Sequence, residues 1–485
     1  MNLKFFLTAI LFASAGYFCQ AQEQILEGGD SFGGAYKASK NWIPPRDTKA
    51  IEKLHEFQDL KFGIMYNWGL QTQFGTVDQS WSLCPERYDW NKRPTPYENA
   101  DWATYKKVYE DLQKTFNPLK FDPEKDTKII AASGAKYILV DSKHHDGFCF
   151  FDTKTTDYKI TSNVCPFSIN KNANVVKVML EAARKNNLWT GIYFSKADWN
   201  TPYYWAPQFG PATTRSENYK RSEHPEVWDK FQRFTADQLH ELTTDYGHVD
   251  ILWLDGGQVS GSSINLAEIA KSARERQPGL LVADRCNGGG YEDYLTPEGL
   301  HEMPTHYLAD AWEACVSLGD HGWAWAKTSK YMSSETIIHL LVKAVARNGN
   351  LVVGIGPDAQ GVLDPEVVKI LNEIGMWFKV NGEAIYNTRP IKPYESGNVF
   401  FTTKQNGTVY AISIQSKADS LISNKVRIPS ALVAMNSEIS LVGFKGEKLH
   451  YQPVDHDMIE ITLPSKINLK ETPAVSFKIS KRGKK

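Results

Sequence analysis

A strong net charge is missing from this chain of 485 residues: 55 Lys and Arg stand against 56 Asp and Glu, a formal charge of −1. That balance excludes a partner captured by bulk charge, so no nucleic acid is expected to bind. A long hydrophobic run is also missing. Phe5–Phe18 is too short to span a bilayer comfortably, and no later segment approaches the roughly 20 apolar residues required, so no membrane insertion is expected. Cysteine is scarce, with six residues at wide spacings and no CxxC pair, which gives no sign of a disulfide framework or a zinc site. No GxGxxG or P-loop opens a helix after the first strand, so a nucleotide-binding fold has no support. Tryptophan is plentiful, with 14 residues, yet none follows Trp377. The chain therefore reads as two regions with different work to do.

What is present begins with Lys4, the apolar run to Phe18 and Cys19-Gln20-Ala21. This is the pattern of a secretory signal peptide over residues 1–21, cleaved after Ala21, and it predicts a periplasmic or secreted protein. Bulky Tyr17-Phe18 before Cys19 disfavours a lipoprotein. Cleavage leaves Cys84, Cys149, Cys165, Cys286 and Cys315, best read as small buried hydrophobes, with one disulfide still compatible with an oxidising compartment.

Hydrophobic residues make up 42% and charged residues 23%, which fits a globular chain and excludes a disordered one. Short β-branched runs alternate with helical patterns. Strands are expected at Phe62–Trp68, Lys136–Asp141, Trp189–Ser195, Val249–Leu254, Leu280–Ala283 and Asn350–Ile355. Between them, helices are expected near Val175–Ala182, Pro225–Thr244, Asn265–Arg276 and Ser334–Arg347. This alternation predicts an α/β fold, an irregular (β/α)8-like barrel over residues 22–389. Beyond it, short strands at Asn398–Thr403, Thr408–Ser413 and Ile459–Leu463, with Gly, Asn and Pro turns between them, predict an all-β sandwich over 390–485, joined through Pro390–Gly397.

In a barrel enzyme the chemistry sits at the C-terminal ends of the strands. Here those ends read Asn67-Trp68-Gly69, His144-His145-Asp146-Gly147-Phe148, Tyr193-Phe194-Ser195 with Asp198-Trp199 just beyond, Trp253-Leu254-Asp255-Gly256-Gly257, and Asp284-Arg285. Polar and aromatic groups converge with no phosphate loop and no complete ligand set, so no metal and no cofactor are implied. Two carboxylates beside His, Trp and Arg suggest glycoside hydrolysis, in which one attacks the anomeric carbon and the other protonates the leaving oxygen. Asp255, at the end of an apolar strand, is the natural nucleophile; its plain alternative is a helix N-cap. For the acid, Glu292, Asp293, Glu298 and Glu313 all stand open, and position alone does not choose. His144 and His145 read as two sugar-hydroxyl contacts. Adjacent residues of a strand point to opposite faces, which makes joint metal ligation awkward unless the strand has ended. A core histidine is the plain alternative for one of them.

These residues carry a resemblance. Lys61-Phe-Gly-Ile with Trp68-Gly69, Gly134-Ala-Lys-Tyr-Ile before Lys143-His-His-Asp-Gly-Phe148, Asp250-Ile-Leu-Trp-Leu-Asp255-Gly, Trp312-Glu313-Ala-Cys, Asn348-Gly-Asn-Leu351 with Gly356-Pro357, and Asn381-Gly-Glu-Ala-Ile-Tyr386 resemble the family 29 glycoside hydrolases, the α-L-fucosidases. The resemblance implies an exo-acting retaining α-L-fucosidase acting on an oligosaccharide or polysaccharide with a terminal L-fucose-like sugar. It implies Asp255 as nucleophile and Glu298 as acid/base, with Glu313 as runner-up. The implied sugar-binding set is Asn67, Trp68, Trp81, His144, His145, Tyr193, Trp253 and Arg285. Two departures bear on the sugar. Asn67 stands where the family usually has His, and Ser80-Trp81-Ser82 replaces the usual Glu-Trp-Tyr. They leave the hydrolytic pair in place and keep an α-L-galactosidase, or a hydrolase of a related L-deoxy-sugar, as the alternative. A carbohydrate-binding protein that has lost catalysis would be expected to lack Asp255. The oligomeric state is left open.

Overall fold

A computed structural model describes residues 43–88, 91–285, 292–414, 424–434, 437–444, 448–464 and 472–481, together with the backbone of a short antiparallel ladder, β1 (Ser31–Phe32) with β2 (Tyr36–Lys37). The expected signal segment 1–21, Cys286 and Tyr291 lie outside the described residues.

Seven strands form one parallel sheet: β3 (Phe62–Tyr66), β4 (Tyr137–Lys143), β5 (Trp189–Ser195), β6 (Ile251–Asp255), β7 (Leu281–Asp284), β8 (Trp312–Ser317) and β9 (Gly349–Ile355). Their order across the sheet is β7-β6-β5-β4-β3-β9-β8. The strands read as near-continuous apolar runs because a parallel sheet is covered on both faces. The period of two then sorts each strand. Ile64, Ile138, Val140, Ile192, Leu252 and Leu254 pack outward under the helices. Met65, Tyr137, Leu139, Tyr193, Ile251, Trp253, Ala283 and Cys315 pack inward as a separate core that fills the curled sheet.

The edge strands β7 and β8 do not ladder with each other. The extended segment Asp293–Glu298 lies between them. The Asp293 amide donates to the Val282 carbonyl (2.9 Å), the Leu295 amide to Ala311 (3.0 Å), the Glu313 amide to Leu295 (2.8 Å) and the Cys315 amide to Pro297 (3.1 Å). The barrel is thus closed by a strand-like segment that the alternation of strands and helices did not reveal.

The outer layer is α1 (Thr48–Leu60), α2 (Trp102–Asp111), α3 (Pro123–Ala132), α4 (Val175–Lys185), α5 (Pro225–Thr244), α6 (Leu266–Arg276), the one-turn α7 (Gly299–Glu302), α8 (Ser334–Ala346) and α9 (Pro365–Asn381). Local chemistry starts several of them. Asp122 caps α3 ahead of Pro123, and the Ser333 hydroxyl accepts the Thr336 amide at the start of α8 (3.1 Å). The described residues contain no helix long and apolar enough to cross a membrane.

The C-terminal region is two antiparallel sheets. One has the order β10-β11-β12-β17-β14, built from β10 (Arg389–Ser396), β11 (Val399–Thr403), β12 (Val409–Ile414), β17 (Ala474–Lys481) and β14 (Ser437–Leu441). The other is β13 (Lys425–Pro429), β16 (Met458–Thr462) and β15 (Tyr451–Asp455). Val399, Phe401 and Ala411 of the first share a core with Val426, Ile428, Ile459 and Ile461 of the second, which makes a sandwich. The stretch Pro390–Gly397, expected as a linker, is mostly strand β10. The sandwich is fixed to the outer helices: the Trp377 indole N–H donates to the Ala474 carbonyl, and His339 Nε2 meets the Pro473 carbonyl, both at 2.8 Å.

Candidate active site

Parity carries Asp255 and Arg285 into the barrel mouth, each two residues beyond an inward-facing core residue, Trp253 and Ala283. One oxygen of Asp255 accepts the Tyr193 hydroxyl at 2.6 Å, and the other accepts Arg285 Nε at 3.1 Å. Both contacts are side chains, so Asp255 is not spent as a helix cap. Gly256 follows with φ +95°, a left-handed turn against the His145 ring, where a Cβ would lie 3.2 Å from Cε1. Arg285 also donates through Nη2 to Glu298, so one guanidinium joins the two carboxylates. The second oxygen of Glu298 accepts the Trp323 indole N–H at 3.2 Å.

The histidine pair sits where the strand has stopped. β4 ends at Lys143, alternation no longer applies, and both rings turn to the same side with centroids 4.6 Å apart. His144 bonds the Ser80 hydroxyl through Nδ1 and stacks on Tyr193. His145 packs on Trp199, and Trp81 meets both histidines in T-shaped contacts. Burial holds both imidazoles below their ordinary range, His145 at about 4, against the opposing pull of Asp255. They are neutral at pH 7, the form that both donates and accepts hydrogen bonds. Burial also works against ionised Asp255, but Arg285, His145 and the Tyr193 hydroxyl outweigh it and hold the carboxyl well below the usual carboxylate range.

His144, His145 and Asp255 offer three ligand-type atoms within 4.8 Å of one another. The carboxylate of that trio already faces a guanidinium, and the Ser80 hydroxyl occupies one imidazole nitrogen. This donor set suits hydroxyl groups better than a cation.

Several expected site residues are placed elsewhere. The Trp68 ring packs among Phe116, Phe121 and Phe150, and its N–H is spent on the Asp358 carbonyl (3.2 Å), which leaves no face for a sugar. Asn67 is fully buried; its amide donates to Met65 and accepts from Gln79. Trp253 is the floor, with Tyr193 stacked on it and the Arg285 guanidinium 4.9 Å from its ring centre. Asp293 is tied to Arg274 at 2.5 Å and accepts the Val282 amide. Asp146 accepts the Tyr109 hydroxyl at 2.8 Å.

Glu313 is inward but deep. It lies two residues before Cys315 on β8, with no exposed surface, against Tyr137 (3.2 Å), Tyr294 and Trp253. Burial raises its carboxyl to about 8. A carboxyl raised in the fold stabilises fully below its unfolded value of 4.5, and that stability is lost as pH rises through about 8. Glu313→Gln is therefore expected to gain on the wild type in unfolding midpoint across this window. A difference that stays flat with pH would show that Glu313 is ionised in the fold.

Strand-end reading missed Trp323 and Asp141. Trp323 lies on the loop after β8, six residues beyond Ser317. Asp141 shares parity with Tyr137 and Leu139, and that parity was its signal. It sits one layer below the mouth, accepts the Trp68 amide (3.3 Å) and is pushed well up by burial. The Lys143–Asp198 pair (2.9 Å), completed by Gln238 (3.0 Å), is buried beside the histidines.

The family profile described as Alpha-L-fucosidase matches residues 34–383, and that described as Alpha-L-fucosidase C-terminal domain matches 392–480. Tissue alpha-L-fucosidase of Rattus norvegicus is 26% identical over 443 residues, covering 87% of each chain. Plasma alpha-L-fucosidase of Homo sapiens is 27% identical over 432 residues, covering 84% of this chain and 85% of its own. Among solved structures, alpha-L-fucosidase isoenzyme 1 of Paenibacillus thiaminolyticus superposes with a TM-score of 0.73 at 24% identity, over 90% of this chain and all of its own. A trapped covalent intermediate of the Bacteroides thetaiotaomicron enzyme, with 2-fluoro-fucosyl fluoride, gives 0.71 at 22% identity, over 92% of this chain and 98% of its own.

Proposed function

Since this chain belongs to the α-L-fucosidase family of glycoside hydrolases, we propose that it is an exo-acting retaining α-L-fucosidase that releases terminal α-L-fucose from glycans. The observation that carries the reading is the single guanidinium of Arg285 shared by Asp255 and Glu298. A shared guanidinium holds the two carboxylates on one side of the mouth, the arrangement a retaining pair about 5–5.5 Å apart requires. The covalent intermediate trapped in the Bacteroides relative supports the same course.

Asp255, held ionised by its neighbours, attacks the anomeric carbon while Glu298 gives its proton to the leaving oxygen. Glu298 then takes a proton from water, which displaces Asp255 and releases the sugar with its configuration kept. Neutral His144 and His145, with Trp81 beside them, bind hydroxyls of an uncharged ring. The apolar run Phe5–Phe18 supports export to the periplasm or medium. Purified protein is expected to hydrolyse aryl α-L-fucosides faster than the matching α-L-galactosides. Faster turnover of the galactosides would reassign the glycone, and turnover of neither would end the reading.

A further inference from the structure

Trp323 lies on the loop after β8, and its indole N–H takes the oxygen of Glu298 that Arg285 does not hold. Its ring lies over Gly354 at the mouth end of β9, where a Cβ would come within 2.6 Å of the ring. The loop is tied to the loop after β3 by one side chain. Oδ1 of Asp78 accepts both the Trp323 amide (2.8 Å) and the Ala324 amide (3.1 Å). The approach is close. Gly322 has φ +119°, and a Cβ there would fall 2.2 Å from the Asp78 carboxyl. The Lys327 amide adds a second link between the same loops, to the Gly75 carbonyl (2.9 Å).

We propose that Asp78 is a positioning residue for the acid/base: it fixes Trp323, and Trp323 fixes the carboxyl plane of Glu298 where the leaving oxygen will lie. The proposal rests on the reading of Glu298 as acid/base. Without the Trp323 bond the Glu298 carboxyl loses one of its holds, and misplacing a reacting group by about 1 Å costs on the order of 10²-fold in rate. Burial raises Asp78 to about 7, with the two amides pulling it down and Glu298 pushing it up. The contact needs the oxygen as acceptor and not its charge, and an asparagine supplies the same oxygen.

The test compares kcat and KM on an activated aryl α-L-fucoside and on one with a poor leaving group. Asp78→Ala is expected to lose about 10²-fold in kcat on the poor leaving group, far less on the activated one, with KM little changed. Asp78→Asn restores most of that loss. Trp323→Phe reproduces the leaving-group dependence, and added to Asp78→Ala it costs little more. Equal losses on both substrates, or no loss, overturn the proposal. Where Asp78→Ala does not fold, Trp323→Phe decides by the same criterion. Failure of the underlying reading looks different: Glu298→Ala itself then shows no leaving-group dependence.

Discussion

Asp255→Gly is expected to lower turnover of an aryl α-L-fucoside by about 10⁴-fold or more, the scale on which removing a nucleophile acts. The reason lies in how the strand delivers the group. The carboxylate projects inward at the end of β6, and the Tyr193 hydroxyl and Arg285 Nε fix its two oxygens. Deleting the side chain opens a space beside Arg285 that a small anion can enter. Azide is expected to restore turnover and to give the β-glycosyl azide, because it attacks from the face Asp255 leaves empty. Wild-type activity in Asp255→Gly, or an α-azide product, would sink the assignment.

Glu298→Ala is expected to behave differently. On a poor leaving group the loss should be about 10²–10⁴-fold, the usual contribution of general acid catalysis. On an activated aryl leaving group the first step needs little proton help, so the enzyme accumulates its glycosyl intermediate and the second step limits. Azide should speed that step and yield the α-azide, the opposite anomer from Asp255→Gly. Glu313→Ala should show no such dependence on the leaving group, because Glu313 is sealed between Tyr137, Tyr294 and Trp253. If Glu313→Ala shows the leaving-group dependence and Glu298→Ala does not, the two roles must be exchanged.

Much of the barrel was legible because buried parallel strands write themselves as short apolar runs. Trp189–Ser195 and Pro225–Thr244 stand in the structure with the ends expected of them. The helices α1, α2, α3 and α9 stand beyond those expected; in α1 and α2 the apolar stripe is thin, since each buries only a few residues. In the sandwich, β13 and β15 escaped for a similar reason. Val426 and Ile428 are the buried residues of β13, and β15 is largely exposed.

The sequence by itself determined the parallel strands, the pair of regions divided between residues 389 and 390, and the delivery of Asp255 to a strand end. All of these depend on local periodicity, which neighbours in the chain express. The tertiary structure alone set Glu298 and Glu313 at different depths. Both face inward, so parity cannot separate them. Their depth is set by hydrogen bonds between Asp293–Glu298 and β8, which put Leu295 opposite Trp312 and carry Glu298 up to the mouth beside Cys315. It also decided that Trp68 is core, through Phe116, Phe121 and Phe150 from distant parts of the chain. Register and packing between remote segments fix depth and facing, and no local pattern encodes them.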